Sequence, residues 1–238
     1  MAPPAHSHPH PHPEDHLTSS AMLQDIVIGL SDGLTVPFAL AAGLSGAVQS
    51  SALVITAGLA EIVAGSIAMG LGGYLAGRTE VEHYEAELAR EYREVQELPD
   101  VERAEVRDLL AEIGLSEATR ELAVQELTAD PGQWVKFMMK YELGLEKPDP
   151  RQAPKSAATI SLAYAAGGLI PLSAYFLTST PTEGLLWSAV ITLVCLLLFG
   201  YLKSRLTGQP PITGALKMAG IGALAAGAAF FVARQFSE

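Results

Sequence analysis

Apolar residues dominate five stretches of the chain, at about 24–47, 52–77, 156–178, 185–203 and 212–235. Each matches the ~20 residues that one helix needs to cross a bilayer. The first stretch is interrupted by Asp25, Ser31, Asp32 and Thr35, whereas the other four carry few or no charges. Between the second and third, the pattern turns polar. From Glu80 to Glu97 there is no Pro or Gly and helix formers dominate, so the second span is expected to run unbroken into this block. Leu98-Pro99-Asp100 should break that helix, with Asp100 capping the next, over 101–113, which Gly114 closes. Ser116-Glu117-Ala118-Thr119 opens a third helix ending near Asp130-Pro131-Gly132, and a fourth covers 132–144. The Pro-rich run from Glu146 to Pro154 leads to the third span. The fold class is therefore all-α: a polytopic membrane protein with five transmembrane helices and a cytoplasmic helical domain between the second and third. Its parts are a His/Pro-rich tail at 1–21, spans at 22–77, the helical domain at 78–155 and spans at 156–238.

Composition agrees with a bilayer environment. The 238 residues are 49% hydrophobic and only 17% charged, unusual for a soluble domain. No secretory signal is visible, and the single Cys195, inside the fourth span, rules out a disulfide framework. Lys147, Arg151, Lys155, Lys203, Arg205 and Lys217 gather on the side that holds the N-terminus, the polar block and the 203–211 loop; the other side has only Arg234. By the positive-inside rule the N-terminus and residues 78–155 are cytoplasmic, and the C-terminus lies outside or in a lumen. The Ala/Gly/Arg-rich composition points to a bacterial plasma membrane. The tail carries His6, His8, His10, His12 and His16, a loose metal-binding tract that is expected to be dispensable for transport.

Charge adds chemistry. Residues 78–147 hold 18 Asp/Glu against 9 Lys/Arg, supplying most of the chain's net −11. Glu91 and Glu94 share one helix face and Glu102 and Glu105 repeat the spacing on the next helix. If the Leu98-Pro99-Asp100 turn reverses the chain, four carboxylates converge, as in the di-metal sites of helical bundles. Met138 and Glu142, four apart, with Met139 adjacent, add soft sulfur, which biases the set toward transition metals. A solvated helical face with Arg90, Arg93, Arg103 and Arg107 as partners, and Met138 and Met139 as core filler, remains the competing reading. Inside the spans, Asp25 and Asp32 lie on one face, about 10 Å apart along the axis. Pro37 should free a backbone carbonyl by breaking the helix ladder. Glu61 and Met69 flank a surface of small residues from Ala57 to Gly77 that permits close helix approach. A carboxylate on such a face needs a proton, a cation or a basic partner, and the first two spans contain no Lys or Arg.

The segments DIVIGLSDGLTVPFALAAGLSGA (25–47), AEIVAGSIAMGLGGYLAGRTE (60–80) and FMMKYELGLEKPDP (137–150) resemble the vacuolar iron transporter family, over essentially residues 22–236. The resemblance implies a homodimeric exchanger that moves Fe²⁺ out of the cytosol against protons. It further implies that Asp25, Asp32, Glu61 and Met69 line the translocation path. Glu91, Glu94, Glu102, Glu105, Met138, Met139 and Glu142 would form the cytoplasmic metal-binding domain. It permits a vacuolar membrane as readily as a bacterial one, and it says nothing of the tail.

These lines join in one expectation: the cytoplasmic helices collect Fe²⁺, and protons displace it from membrane carboxylates. The ligand set accepts Mn²⁺, Co²⁺ and Zn²⁺ as well. The expected partners are the bilayer, divalent metal ions, protons and a second copy of the chain, with no nucleic acid, no prosthetic group and no enzyme activity. A membrane-tethered ferroxidase of ferritin type is the enzymatic alternative. It lacks the usual Glu-x-x-His ligands, since His83 is the only histidine in the block. A metal sensor is the binding-class alternative, and it leaves Asp32 and Glu61 without a task.

Overall fold

The computed structural model describes residues 16–236, with side chains from Ala21 onward. His6, His8, His10 and His12, and the side chain of His16, lie outside the described residues. Every regular element among the described residues is helical: α1 (His16–Ala47), α2 (Ser51–Glu97), α3 (Pro99–Glu112), α4 (Glu117–Leu127), α5 (Pro131–Tyr141), α6 (Gln152–Phe176), α7 (Pro181–Leu206) and α8 (Pro211–Gln235). Five of them, α1, α2, α6, α7 and α8, are long and apolar enough to cross a membrane. The 47 residues of α2 run without interruption from the second apolar stretch into the acidic block. At 1.5 Å per residue that is about 70 Å, over twice the thickness of a hydrocarbon core. The chain forms two compact units, one from Tyr74–Ala153 and one from the residues on either side.

Two helix starts depart from expectation for one physical reason. Leu98, not Asp100, is the N-cap of α3, and Pro99 is its first residue; α5 likewise begins at Pro131. Proline has no N–H to leave unpaired and its fixed φ suits the first helical position, so each helix begins one or two residues early. Asp100 is displaced into the first turn, where its carboxylate pairs with Arg103 at 3.1 Å. Asp130 does cap α5, accepting from the Gln133 N–H at 2.8 Å. That helix stops at Tyr141, short of 144, and Gly144 follows with φ +64.

In the membrane unit, Pro37 lies inside α1 without breaking it, and Pro171 lies inside α6. Each proline takes one bond out of the ladder, the one that would have used the carbonyl four residues earlier, Gly33 or Gly167. These glycines face one another where α1 and α6 cross. A Cβ on Gly167 would stand 3.0 Å from Leu34 N and 3.1 Å from Gly33 C, and one on Gly33 would strike the backbone of Tyr164. The crossing brings α6 between α1 and α2: Gly58, Gly65 and Gly70 of α2 meet Leu172, Tyr164 and Ser161. Higher in the bundle the Tyr175 hydroxyl sits 2.8 Å from Ser45 Oγ and donates to Ala41 O at 3.3 Å, fixing α6 to α1 again. Glycines at 43 and 46 bring α8 onto α1, and those at 200 and 222 pair α7 with α8.

Gly33→Val is expected to push α1 from α6 at the Tyr164 backbone, costing about 1–3 kcal/mol or more. Gly220→Ala, placed where nothing lies within 4 Å, should be neutral. Thermal midpoints of the two purified variants check this, and equal midpoints would contradict the close crossing.

The second unit buries Val95, Val106, Leu110, Val124, Trp134, Val135, Met138 and Met139 in one apolar cluster drawn from α2, α3, α4 and α5. Arg103 stacks over Trp134, 5.3 Å from the ring centroid, and Arg107 forms a two-pronged pair with Glu121 at 2.5 and 3.2 Å.

Candidate metal-binding sites

Glu61 projects from the middle of an apolar helix, and its partner comes from the third span. The Tyr164 hydroxyl donates to Glu61 Oε1, while Glu61 Oε2 is buried and has no hydrogen-bond partner. Gly33, the residue after Asp32, packs on the backbone of Tyr164, so Asp32, Glu61 and Tyr164 lie at one level of α1, α2 and α6. Gly29 and Gly33 of α1 let Tyr164 come so near, because α6 rests on their backbone. Asp25, two turns before Asp32, is buried. Gly29 and Gly73 both pack against Ile160, and Gly70 packs against Ser161. Met69 therefore sits within about a turn of the level of Gly29, between the heights of Asp25 and Asp32.

Tyr164 was not singled out by sequence. Its signal was present: a tyrosine within a lipid span has a hydroxyl that needs a partner, and Glu61 needed a donor. Tyr164→Phe is expected to free Glu61 from its anchor and weaken metal transport by about tenfold, the scale of a hydrogen bond to a charged group. Flux by the Phe variant in proteoliposomes, with an unchanged elution profile, checks it.

In the second unit, Glu91 and Glu102 are 3% and 4% exposed, far more buried than acids normally are. Val95 of α2 shares its apolar cluster with Val106 and Leu110 of α3, so α3 folds back toward α2 after the Leu98-Pro99-Asp100 turn. Burial first, then the neighbouring carboxylates of Glu142, Glu94 and Glu105, push Glu91 up to about 7. Glu102 is likewise raised to about 7, by burial and then by Glu105, Glu91, Glu94 and Glu142. Glu142, at the C-cap of α5, is raised by burial, Glu105 and Glu94. Five carboxylates from three helices thus share one electrostatic neighbourhood.

Of the arginines that could have neutralised it, Arg90 pairs with Glu94 at 3.1 Å and Glu87 at 3.6 Å, while Arg103 and Arg107 pair with Asp100 and Glu121. No ion pair among the described residues involves Glu91, Glu102, Glu105 or Glu142. Glu91 Oε2 is buried without a hydrogen bond. Glu87 Oε2, one turn earlier on α2 and passed over in the sequence, is also buried without one. Among the described residues no three His, Cys, Asp or Glu side chains close to metal-coordinating distance, so the acids are gathered but not drawn in around an ion. Met138 and Met139 are 0% and 2% exposed, packed within the apolar cluster.

A bundle of five membrane-length helices, with carboxylates both inside it and in an appended helical unit, defines a multi-pass membrane protein with acid-lined sites. The VIT family model matches residues 23–234. The chain is 53% identical over 221 residues to "Vacuolar iron transporter 2" of Oryza sativa subsp. japonica, covering 93% of this chain and 90% of the relative. It is 50% identical to "Vacuolar iron transporter 1" of Arabidopsis thaliana, covering 93% and 88%, and 40% identical to "Protein CCC1" of Saccharomyces cerevisiae, covering 88% and 67%. The chain belongs to the VIT family.

Proposed function

We propose that this protein carries Fe²⁺ out of the cytosol across a vacuolar-type membrane in exchange for protons. The observation that carries the reading is Glu61. One of its oxygens is held by Tyr164, and the other is buried in a membrane-spanning helix with no partner. A buried lone pair of this kind calls for a proton or a cation. Alternating occupancy by the two is the chemistry of exchange, because metal binds the deprotonated carboxylate. Asp32 supplies the second acid beside it, with Asp25 and Met69 as further ligands along α1 and α2.

In the second unit, Glu91, Glu94, Glu102, Glu105 and Glu142 collect the ion, with Met138 and Met139 as soft ligands once the acids close around it. The ion is cargo, and no prosthetic group takes part. The N-terminus is cytoplasmic. The names of the relatives favour a vacuolar membrane, and nothing in them supports the bacterial plasma membrane that composition suggested.

The working form is a homodimer. Ala60, Ala64, Ala68 and Gly72 form a ridge on α2, spaced by four residues and exposed in a single protomer. Such a ridge suits close packing against a second helix in lipid.

A ferroxidase draws no support from relatives named as transporters, and His83 is exposed on α2. A sensor again leaves Asp32 and Glu61 idle. The test is Fe²⁺ flux into proteoliposomes with Mn²⁺, Co²⁺ and Zn²⁺ as competitors. Saturable Fe²⁺ entry, reduced by competing ions that fit the same oxygen and sulfur donors, is expected. Entry no faster than in empty liposomes would refute transport.

A further inference from the structure

A cavity of about 300 Å³ opens where α7 ends and α8 begins, remote in sequence from every residue assigned above. Its polar wall is made by Lys203, Ser204, Thr207, Gln209, Thr213 and Lys217, and its apolar floor by Met218 and Ile221. Three features of this wall lack a partner. No ion pair among the described residues involves Lys203 or Lys217. Ser204 is 7% exposed, wedged against Gly214, and its hydroxyl makes no hydrogen bond among the described residues. The first turn of the 25-residue α8 begins with Pro211 and has no side-chain cap, so its forward N–H groups are open.

Lys203 can be explained without a ligand, because it lies in the last turn of α7, where a cation suits the helix dipole. Lys217, two turns into α8, is not in the last turn of a helix, yet it lines the same cavity with no ion-pair partner among the described residues. A free hydroxyl, two ammonium groups and an uncapped helix N-terminus are together the donor set that holds a phosphate. The floor adds a direction: polar at the helix ends, apolar toward the bundle, as an ester of phosphate at the surface of a bilayer would need. Leu202, Leu206, Ile212 and Leu216, each next in sequence to a residue that lines the cavity, are all exposed.

We propose that this cavity binds the phosphate group of an anionic phospholipid through Lys203, Lys217 and Ser204, at the α7–α8 turn. A basic pocket between membrane helices is a recurrent form of headgroup site. None of Asp25, Asp32, Glu61 or Met69 lines this cavity, so transport and lipid retention are read as two separate measurements.

The test uses the full chain in detergent with added phosphatidylglycerol, phosphatidylcholine or inorganic phosphate, followed by native mass spectrometry and thermal unfolding. Phosphatidylglycerol should be retained over phosphatidylcholine, and Lys217→Gln should weaken retention at least about tenfold, the scale of a hydrogen bond to a charged group. Lys203→Gln should act in the same direction, and the single variants keep the test usable if the double variant fails to fold. Arg205→Gln, which removes a neighbouring charge that does not line the cavity, should cost at most about fivefold, the effect of one basic residue near a surface. Inorganic phosphate giving equal protection, lost in Lys217→Gln, would support the same site filled from solution. Retention unchanged in both lysine variants, or an Arg205→Gln loss as large as theirs, would overturn the proposal.

Discussion

Asp32→Asn is expected to abolish proton-coupled Fe²⁺ movement while leaving the bundle folded. Asparagine keeps the shape of the side chain but cannot shed a proton or present a negative charge, so it removes both alternatives that exchange requires. The neighbourhood explains why the loss should be near total. Asp32 and Glu61 are the two acids at the level of Tyr164, and Glu61 already gives one oxygen to its hydroxyl. With Asp32 neutral, one free carboxylate oxygen remains in the group, too little for a divalent ion leaving water. Flux in proteoliposomes should drop to the level of empty vesicles, with an elution profile and thermal midpoint close to the parent's. Flux within about twofold of the parent would remove Asp32 from the path.

The second large effect has opposite signs for stability and for binding. Glu91→Gln with Glu102→Gln is expected to stabilise the metal-free protein at pH 8 while sharply weakening metal binding. Both carboxyls are raised in the folded protein from an ordinary 4.5 to about 7. Between those values the folded state holds protons that the unfolded chain releases, so stability falls as pH climbs from about 4.5 to above 7. Above pH 7 the acids are charged, buried and crowded by Glu94, Glu105 and Glu142, and a divalent ion is what relieves them. Binding therefore runs the other way. At pH 6 a group titrating near 7 is only about 10% ionised, so a site that needs two such groups should bind about 100-fold more weakly than at pH 8. The glutamine pair should flatten both curves. Calorimetric titration of Mn²⁺ as a redox-stable probe, with thermal unfolding over pH 5–8, measures the two together. A metal-free midpoint that rises with pH in the parent would refute the shared-charge picture.

The architecture was legible in the sequence because it depends on length and hydropathy, which are local. Five apolar runs gave five membrane-length helices, and the absence of Pro or Gly from Glu80 to Glu97 correctly extended the second into the acidic block. Capping was less legible. Asp100 looked like a cap because aspartate is a good one, but Pro99 competes for the first helical position and wins. Pro37 removes one bond from the ladder of α1, as its position suggested, and the helix continues past it where Gly168 leaves room for the ring against α6. The acids of the helical unit could be paired from i,i+3 spacing and a reversing turn. Glu61 could not be paired, because its partner lies 103 residues away and no local pattern links the two. Sequence also could not say which acids would go unneutralised. That depends on Arg103 and Arg107 turning to Asp100 and Glu121, away from the cluster.

The most direct test is to load proteoliposomes and bath with equal free Fe²⁺, impose an acidic interior, and follow metal and internal pH together. Exchange predicts that Fe²⁺ accumulates inside against its own rising gradient while the interior loses protons, and that collapsing the pH difference with an ionophore stops both. Iron that merely equilibrates, indifferent to the proton gradient, would contradict the central claim that buried carboxylates hold either metal or protons but not both.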